Sequence, residues 1–265
     1  MSDLRLSGVS ETLLIPLMGR ALETKKVDGI LKDEKSVEVF ESLDYNFEKF
    51  LDPDSKRSML RTTIRTTIID RLVENILKEN PSITVVEMGC GLNSRFERLD
   101  NGKVQWYDLD VPEVHEVWKQ FFVVTNRRTF LPFSAFNEQW ITKVKQESKG
   151  PWLFISEASV IYFPDKEVQQ LFQSLCEHFP GSYYLFDSAE PAFLENLEED
   201  NDALKYCDAK IKWSIEDIHY LKKSFPSIDV LKIINLESAD HEYRSLYPAD
   251  FHKTVDGYQL NLISL

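Results

Sequence analysis

The stretch ITVVEMGCGLNSR at 83–95 constrains the fold more than any other part of the chain. Ile83, Thr84, Val85 and Val86 form a β-branched apolar run, and Glu87 and Gly89-Cys90-Gly91 follow it. That pattern reads as a buried strand ending in a tight turn whose backbone can lie against a ligand. About twenty residues on, Trp106-Tyr107-Asp108-Leu109-Asp110 reads as a second strand ending in acid. Glycine after the first strand and acid after the second is how doubly wound α/β folds hold a nucleoside, with backbone at the turn and a carboxylate on the ribose.

The glycine spacing narrows the nucleoside. A pyrophosphate needs G-x-G-x-x-G opening a helix. Here Gly89, Gly91 and then Ser94 occupy those positions, so the third glycine is missing, and Arg95 and Arg98 follow. An acid before two glycines, E-x-G-x-G from Glu87 to Gly91, suits S-adenosylmethionine, which has no phosphate but carries an amino-acid end and a sulfonium. A net charge of −13 argues against a nucleic-acid backbone or an anionic membrane as the main partner, because both demand clustered Lys and Arg. No long apolar run or signal-peptide core is apparent, and Cys90, Cys176 and Cys207 are scattered. Those features predict a reduced, cytoplasmic protein without a disulfide framework or a metal site.

Beyond residue 57, strands and helices alternate. Strands are expected at 83–88, about 104–109, 127–133, 152–156 and 182–186, with two more at about 228–236 and 257–264. Helices are expected at 58–79, from Pro112, after a cap at Asp165, and over 215–224 behind a Ser214/Asp217 capping box. The last two strands have no room for a long helix between them, so they should pair antiparallel at the sheet edge. The fold predicted is α/β, with a seven-stranded class I methyltransferase (Rossmann-like) sheet under a helical cap. Residues 1–57 form the cap, where Val37, Phe40, Leu43, Phe47 and Phe50 fall at helical spacing. Residues 58–265 form the catalytic domain, and about 189–213 form a lid insertion. Ligands bind at the carboxyl ends of such strands. There the sequence places Glu87, Asp108, Asp110, Ser134, Glu157 and Asp187.

The chain resembles the leucine carboxyl methyltransferase family, within it the O-methyltransferases of the tetracenomycin polyketide synthesis type. The matching segments are GVSETLLIPLMGRALET at 8–24, the Arg65 helix, VVEMGCGLNSRFERLD at 85–100, YDLDVPEV at 107–114, SEASVIYF at 156–163 and HFPGSYYLFD at 178–187. The resemblance implies S-adenosylmethionine-dependent transfer of a methyl group to oxygen, usually of a carboxylate. It implies that Arg65 pairs with the methionine carboxylate, that Glu87, Gly89 and Gly91 form the glycine loop, that Asp110 holds the ribose, and that Glu157 lies near the methionine amino group. Ser134 and Ala135 stand where the family has an acidic–apolar pair beside the adenine. Arg20 and Tyr162 fall on the acceptor side. Two departures stand out: Asn93-Ser94 replaces the common D-T of the loop, and Ala158 replaces glycine after Glu157.

Methyl transfer from a sulfonium is an in-line displacement, so the protein mainly supplies alignment and a dry site. A carboxylate acceptor needs no base, whereas a phenol or enol gains from one. No histidine falls clearly on a loop facing the glycine turn; His115 lies one turn into a helix. Three rivals stand beside the small-molecule O-methyltransferase: a nicotinamide-dependent oxidoreductase, a non-catalytic binding protein of the same fold, and a carboxyl methyltransferase acting on a protein C-terminus.

Overall fold

The computed structural model describes residues 12–197, 209–236, 242–248 and 257–265. Tyr206, Cys207, the start of the 8–24 motif and most of the acidic run at 195–202 lie outside them.

The sheet is built from β1 (Thr84–Met88), β2 (Gln105–Asp110), β3 (Arg128–Pro132), β4 (Trp152–Ser156), β5 (Tyr183–Ala189), β6 (Asp229–Asn235) and β7 (Tyr258–Ser264). Their order is β3-β2-β1-β4-β5-β7-β6. The first five run parallel, and β7 pairs antiparallel with both β5 and β6. This is the class I methyltransferase sheet expected from the sequence. β1 is buried at every residue, as a β-branched run between two parallel neighbours must be. It sits where the strand order reverses, between β2 and β4, and the crevice at the carboxyl ends of such a pair is where ligands bind.

The helices are α1 (Leu14–Thr24), α2 (Glu34–Ser42), α3 (Pro53–Glu79), α4 (Arg95–Leu99), α5 (Pro112–Trp118), α6 (Gln139–Glu147), α7 (Asp165–His178), α8 (Pro191–Leu197) and α9 (Leu221–Ser224). α3 starts five residues before its expected first residue because Asp52 caps it, accepting from the Asp54 and Ser55 amides, with Pro53 in the first turn. Its apolar stripe through Ile68, Ile69, Leu72 and Val73 packs into the main core. α1 lies against α3 and α2, and Leu14 and Leu17 join Cys90, Leu92, Trp118 and Phe130 in a second cluster. The N-terminal helices therefore rest directly on the glycine loop.

Three local expectations need correction. Helical spacing continues from Val37 to Phe50, but α2 stops at Ser42 and Leu43 is extended. A separate 3-10 turn, Phe47–Phe50, follows, and the break lets Phe47 pack against Phe40, ring centroids 4.6 Å apart and tilted by 56°. Asp165 is the first residue of α7 rather than its cap, the cap position being Pro164. The helix expected over 215–224 divides into a 3-10 turn, Ile218–Tyr220, and the short α9. Asp217 caps the turn by accepting from the His219 amide at 2.9 Å.

Candidate active site

The loop after β1 is shaped by its glycines. Gly89 has φ +68° and Gly91 φ +53°, the left-handed region that a side chain disfavours. The Gly89 and Cys90 amides donate to the Leu109 carbonyl at 2.8 and 3.3 Å, and the Asn93 amide donates to Cys90 O at 2.9 Å. A Cβ on Gly89 would lie 2.1 Å from Ser159 Oγ, so the loop also packs against the Ser159 side chain after β4.

At the end of β2 the two acids divide. Asp110 is half-buried beside the loop: Oδ2 accepts from the Gly91 amide and Oδ1 from the Val111 amide, both at 2.8 Å. Burial pushes its carboxyl up to about 6, against the pull of those two amides. Asp108 is fully buried and accepts from Arg128 Nε at 2.6 Å. Asp108 therefore faces Arg128, and it is Asp110 that meets the glycine-loop amide. The Arg128 guanidinium sits about 5 Å from the rings of Phe96, Trp118 and Phe122, a buried cation held by aromatic faces.

Behind the loop lies a buried ionic network. Arg95, 0% exposed, donates to Asp70 at 2.7 Å and also to Glu87 Oε1 and Glu157 Oε2. Arg98 bridges Asp70 and Asp33, each at 2.7 Å. Asn93 donates to Glu87 at 3.0 Å and to Glu157 at 3.4 Å. Glu87 Oε2 is buried without a hydrogen-bond partner among the described residues. Burial pushes this carboxyl up to about 7, with Arg95 opposing. Glu157 behaves oppositely: burial would raise it, but Arg95, Arg65 and the Thr66 hydroxyl hold it well below the usual carboxylate range.

Arg65 projects from α3 into this cluster. Its Nε donates to Glu157 Oε1 at 3.1 Å, and Nη1 donates to the Tyr258 hydroxyl at 3.2 Å. The Thr66 hydroxyl donates to the same Glu157 oxygen at 2.6 Å. Each Glu157 oxygen thus receives two protein donors, which fills the roughly four lone-pair sites of a carboxylate. A cofactor ammonium would have to share Glu157 with these donors.

A cavity of about 370 Å³ opens at the carboxyl edge of the sheet, and Arg65, Glu87, Gly89, Gly91, Asp110, Ser134, Ala135, Glu157, Arg20 and Tyr162 all line it. The structure therefore brings these ten residues to one place, while Asp108 and Asp187, also at strand ends, do not line it. Their surroundings differ. Arg20 is 2% exposed and spends its donors on Asp33 at 3.1 Å and the Leu92 carbonyl at 2.9 Å, so it braces the loop rather than presenting itself to an acceptor. Tyr162 is buried in the 3-10 turn Val160–Tyr162, and Ser134 accepts from the Phe136 amide at 3.3 Å. Arg61, on the same helix as Arg65, also lines the cavity half-buried. His115 stacks on Phe130 at 4.5 Å and does not line the cavity. Among the described residues, no group of His, Cys, Asp and Glu could hold a metal ion.

Ala158 shows what the departure after Glu157 costs. Its φ is +47°, and its amide donates to Asp187 Oδ2 at 2.8 Å. Left-handed backbone costs an L-residue about 1–2 kcal/mol, while glycine loosens the unfolded chain by about 0.4–1 kcal/mol. Ala158→Gly should therefore raise the unfolding free energy by about 0.5–1 kcal/mol in a urea titration. An unchanged or lower midpoint would mean that the turn carries no strain.

These residues fit S-adenosylmethionine: an arginine with Nη2 not bonded within the described residues, a carboxylate at the end of β2, and a loop with no side chain at Gly89 or Gly91. The leucine carboxyl methyltransferase profile matches residues 14–176. The tetracenomycin polyketide synthesis O-methyltransferase TcmP of Streptomyces glaucescens is 26% identical over 226 residues, covering 85% of this chain and 82% of its own length. The S-adenosyl-L-methionine-dependent methyltransferase dpfgK of Gibberella zeae is 26% identical, covering 84% and 80%. A candidate methyltransferase of Thermobifida fusca YX superposes with a TM-score of 0.63 at 11% identity, covering 99% of this chain and 96% of that one. The chain belongs to the leucine carboxyl methyltransferase family. It has the fold of class I methyltransferases, and its cofactor is S-adenosyl-L-methionine.

Proposed function

We propose that this member of the leucine carboxyl methyltransferase family methylates an acidic oxygen, carboxylate or acidic hydroxyl, on a small aromatic or polyketide-like molecule. The observation that carries the reading is the apolar part of the cavity lining. Besides the glycine loop the cavity is lined by Ile161, Phe193, Ile211, Leu236 and Tyr247. A concave, mostly apolar chamber of this size suits a small molecule. The polyketide-synthesis relative in Streptomyces glaucescens supports the same substrate class. The described parts of the cap and lid segments, residues 12–57, 189–197 and 209–213, are proposed to cover it.

The cofactor, when bound, supplies a methyl group already activated on a sulfonium. The chain's own residues bind and align. Arg65 would hold the methionine carboxylate, with Glu157 and Glu87 near the amino group. The glycine loop would take the backbone of the ligand, Asp110 the ribose hydroxyls, and Ser134 and Ala135 the adenine edge. The apolar wall would exclude water and so strengthen each polar contact. Among the described residues lining the cavity there is no histidine, which favours an acceptor that is ionised without a base.

Calorimetry of the full-length protein with S-adenosylhomocysteine and with NAD tests the cofactor, with micromolar-range affinity expected for the first alone. Tight binding of NAD only would sink the reading. The Asp110 carboxyl lies at about 6, and its ionised form is the better acceptor for ribose hydroxyls. Affinity should therefore weaken as the pH falls through 6. Turnover with a panel of aromatic carboxylic acids, set against peptides ending in leucine, tests the acceptor. Turnover of the peptides alone would replace the small-molecule reading with a protein C-terminus.

A further inference from the structure

We infer that Tyr258 is a positioning residue for Arg65, holding the guanidinium at the bearing from which it meets the cofactor's methionine carboxylate. The inference rests on the S-adenosylmethionine reading of the cavity.

Arg65 reaches the site on a long side chain from α3, and a single hydrogen bond to Glu157 would leave its fork free to swing about that contact. The second anchor comes from the far end of the chain. Tyr258 opens β7, and its hydroxyl accepts from Arg65 Nη1 at 3.2 Å. The same hydroxyl donates to Asp187 Oδ2 at 2.6 Å. Asp187 is fully buried at the end of β5, accepts from the Ala158 amide at 2.8 Å, and lies 3.7 Å from Arg65 Nε. The Tyr258 hydroxyl therefore has one donor and one acceptor partner, each on a rigid strand or helix. The guanidinium carbon also lies 5.9 Å from the Tyr258 ring, and Phe193 of α8 packs against that ring at 5.2 Å. With Nε and Nη1 pinned, the remaining Nη2 edge is the one left for a ligand. Packing alone would need only the ring. The hydroxyl, with its two directed bonds, is what sets Arg65.

The test is a double-mutant cycle on the full-length protein, read by calorimetry with S-adenosylhomocysteine and with 5′-methylthioadenosine, which lacks the amino-acid end. Tyr258→Phe keeps the ring and removes the hydroxyl. It should weaken S-adenosylhomocysteine about tenfold and leave 5′-methylthioadenosine unchanged. Arg65→Gln should cost about thirtyfold. The double variant should be no weaker than Arg65→Gln alone, because the tyrosine acts through the arginine. Additive losses, an unchanged affinity in either single variant, or equal weakening of both ligands by Tyr258→Phe would overturn the inference. If the unaltered protein binds neither ligand, the cofactor reading itself falls.

Discussion

Replacing Arg95 with methionine should lower the unfolding free energy by about 3–5 kcal/mol, the usual cost of removing one member of a buried ionic cluster. Arg95 has no exposed surface, and its three guanidinium nitrogens each meet a different carboxylate, of Asp70, Glu87 and Glu157. The three are not equally bereft without it. Asp70 keeps Arg98, and Glu157 keeps Arg65 and Thr66, but among the described residues Glu87 keeps only the Asn93 amide. The folded Glu87 carboxyl already sits at about 7, above its ordinary 4.5, because burial outweighs Arg95. A carboxyl raised on folding favours the fold below its unfolded pKa, and that advantage is lost as the pH rises through the folded one. Without Arg95 the folded value climbs further, so the deficit should widen above about pH 7. Urea unfolding at pH 6 and pH 8.5 reads both effects. A loss below 1 kcal/mol at both pH values would show that the cluster does not hold the site together.

Arg95 also shows where sequence reading stopped. The strands, their alternation with helices and the antiparallel ending were legible because periodicity and turn residues act locally, within one element. Gly89 and Gly91 were legible for the same reason. The partners of Arg95 are not local: Asp70 and Glu157 are 25 and 62 residues away. Two arginines after a glycine turn were visible, but nothing nearby says what they neutralise. Tyr258 is further still, 193 residues from Arg65. Asp108 and Asp110 share a strand face, so alternation cannot separate them. Register does: Arg128 lies beside Trp106 on the neighbouring strand, within reach of Asp108, while Asp110 lies two residues nearer the carboxyl edge. Short helices escaped too. α4 spans five residues, less than the window in which a helical period shows.

Gly89→Val should abolish measurable binding of S-adenosylhomocysteine, a loss of more than about 100-fold, because two costs meet at one residue. The first is backbone: φ is +68°, where a β-branched residue is a genuine outlier. The second is space. An added Cβ lies 2.1 Å from Ser159 Oγ and 2.6 Å from Ser159 Cβ, so the loop or the turn after β4 must move. That turn carries Glu157 and Ala158, whose contacts with Arg65 and Asp187 order the Arg65 side of the site. Gly91 is less confined, since its Cβ would meet Leu13 Cβ at 3.3 Å on a segment outside the sheet. The two costs can be separated with Gly89→Ala, expected to remove about 2–4 kcal/mol of stability. Adding Ser159→Gly relieves the contact but not the φ, so it should return roughly half of that loss through non-additivity. Full recovery would assign the whole effect to the clash, and no recovery would assign it to the backbone. Gly89→Ala binding with undiminished affinity would mean that the loop's conformation is not what receives the ligand.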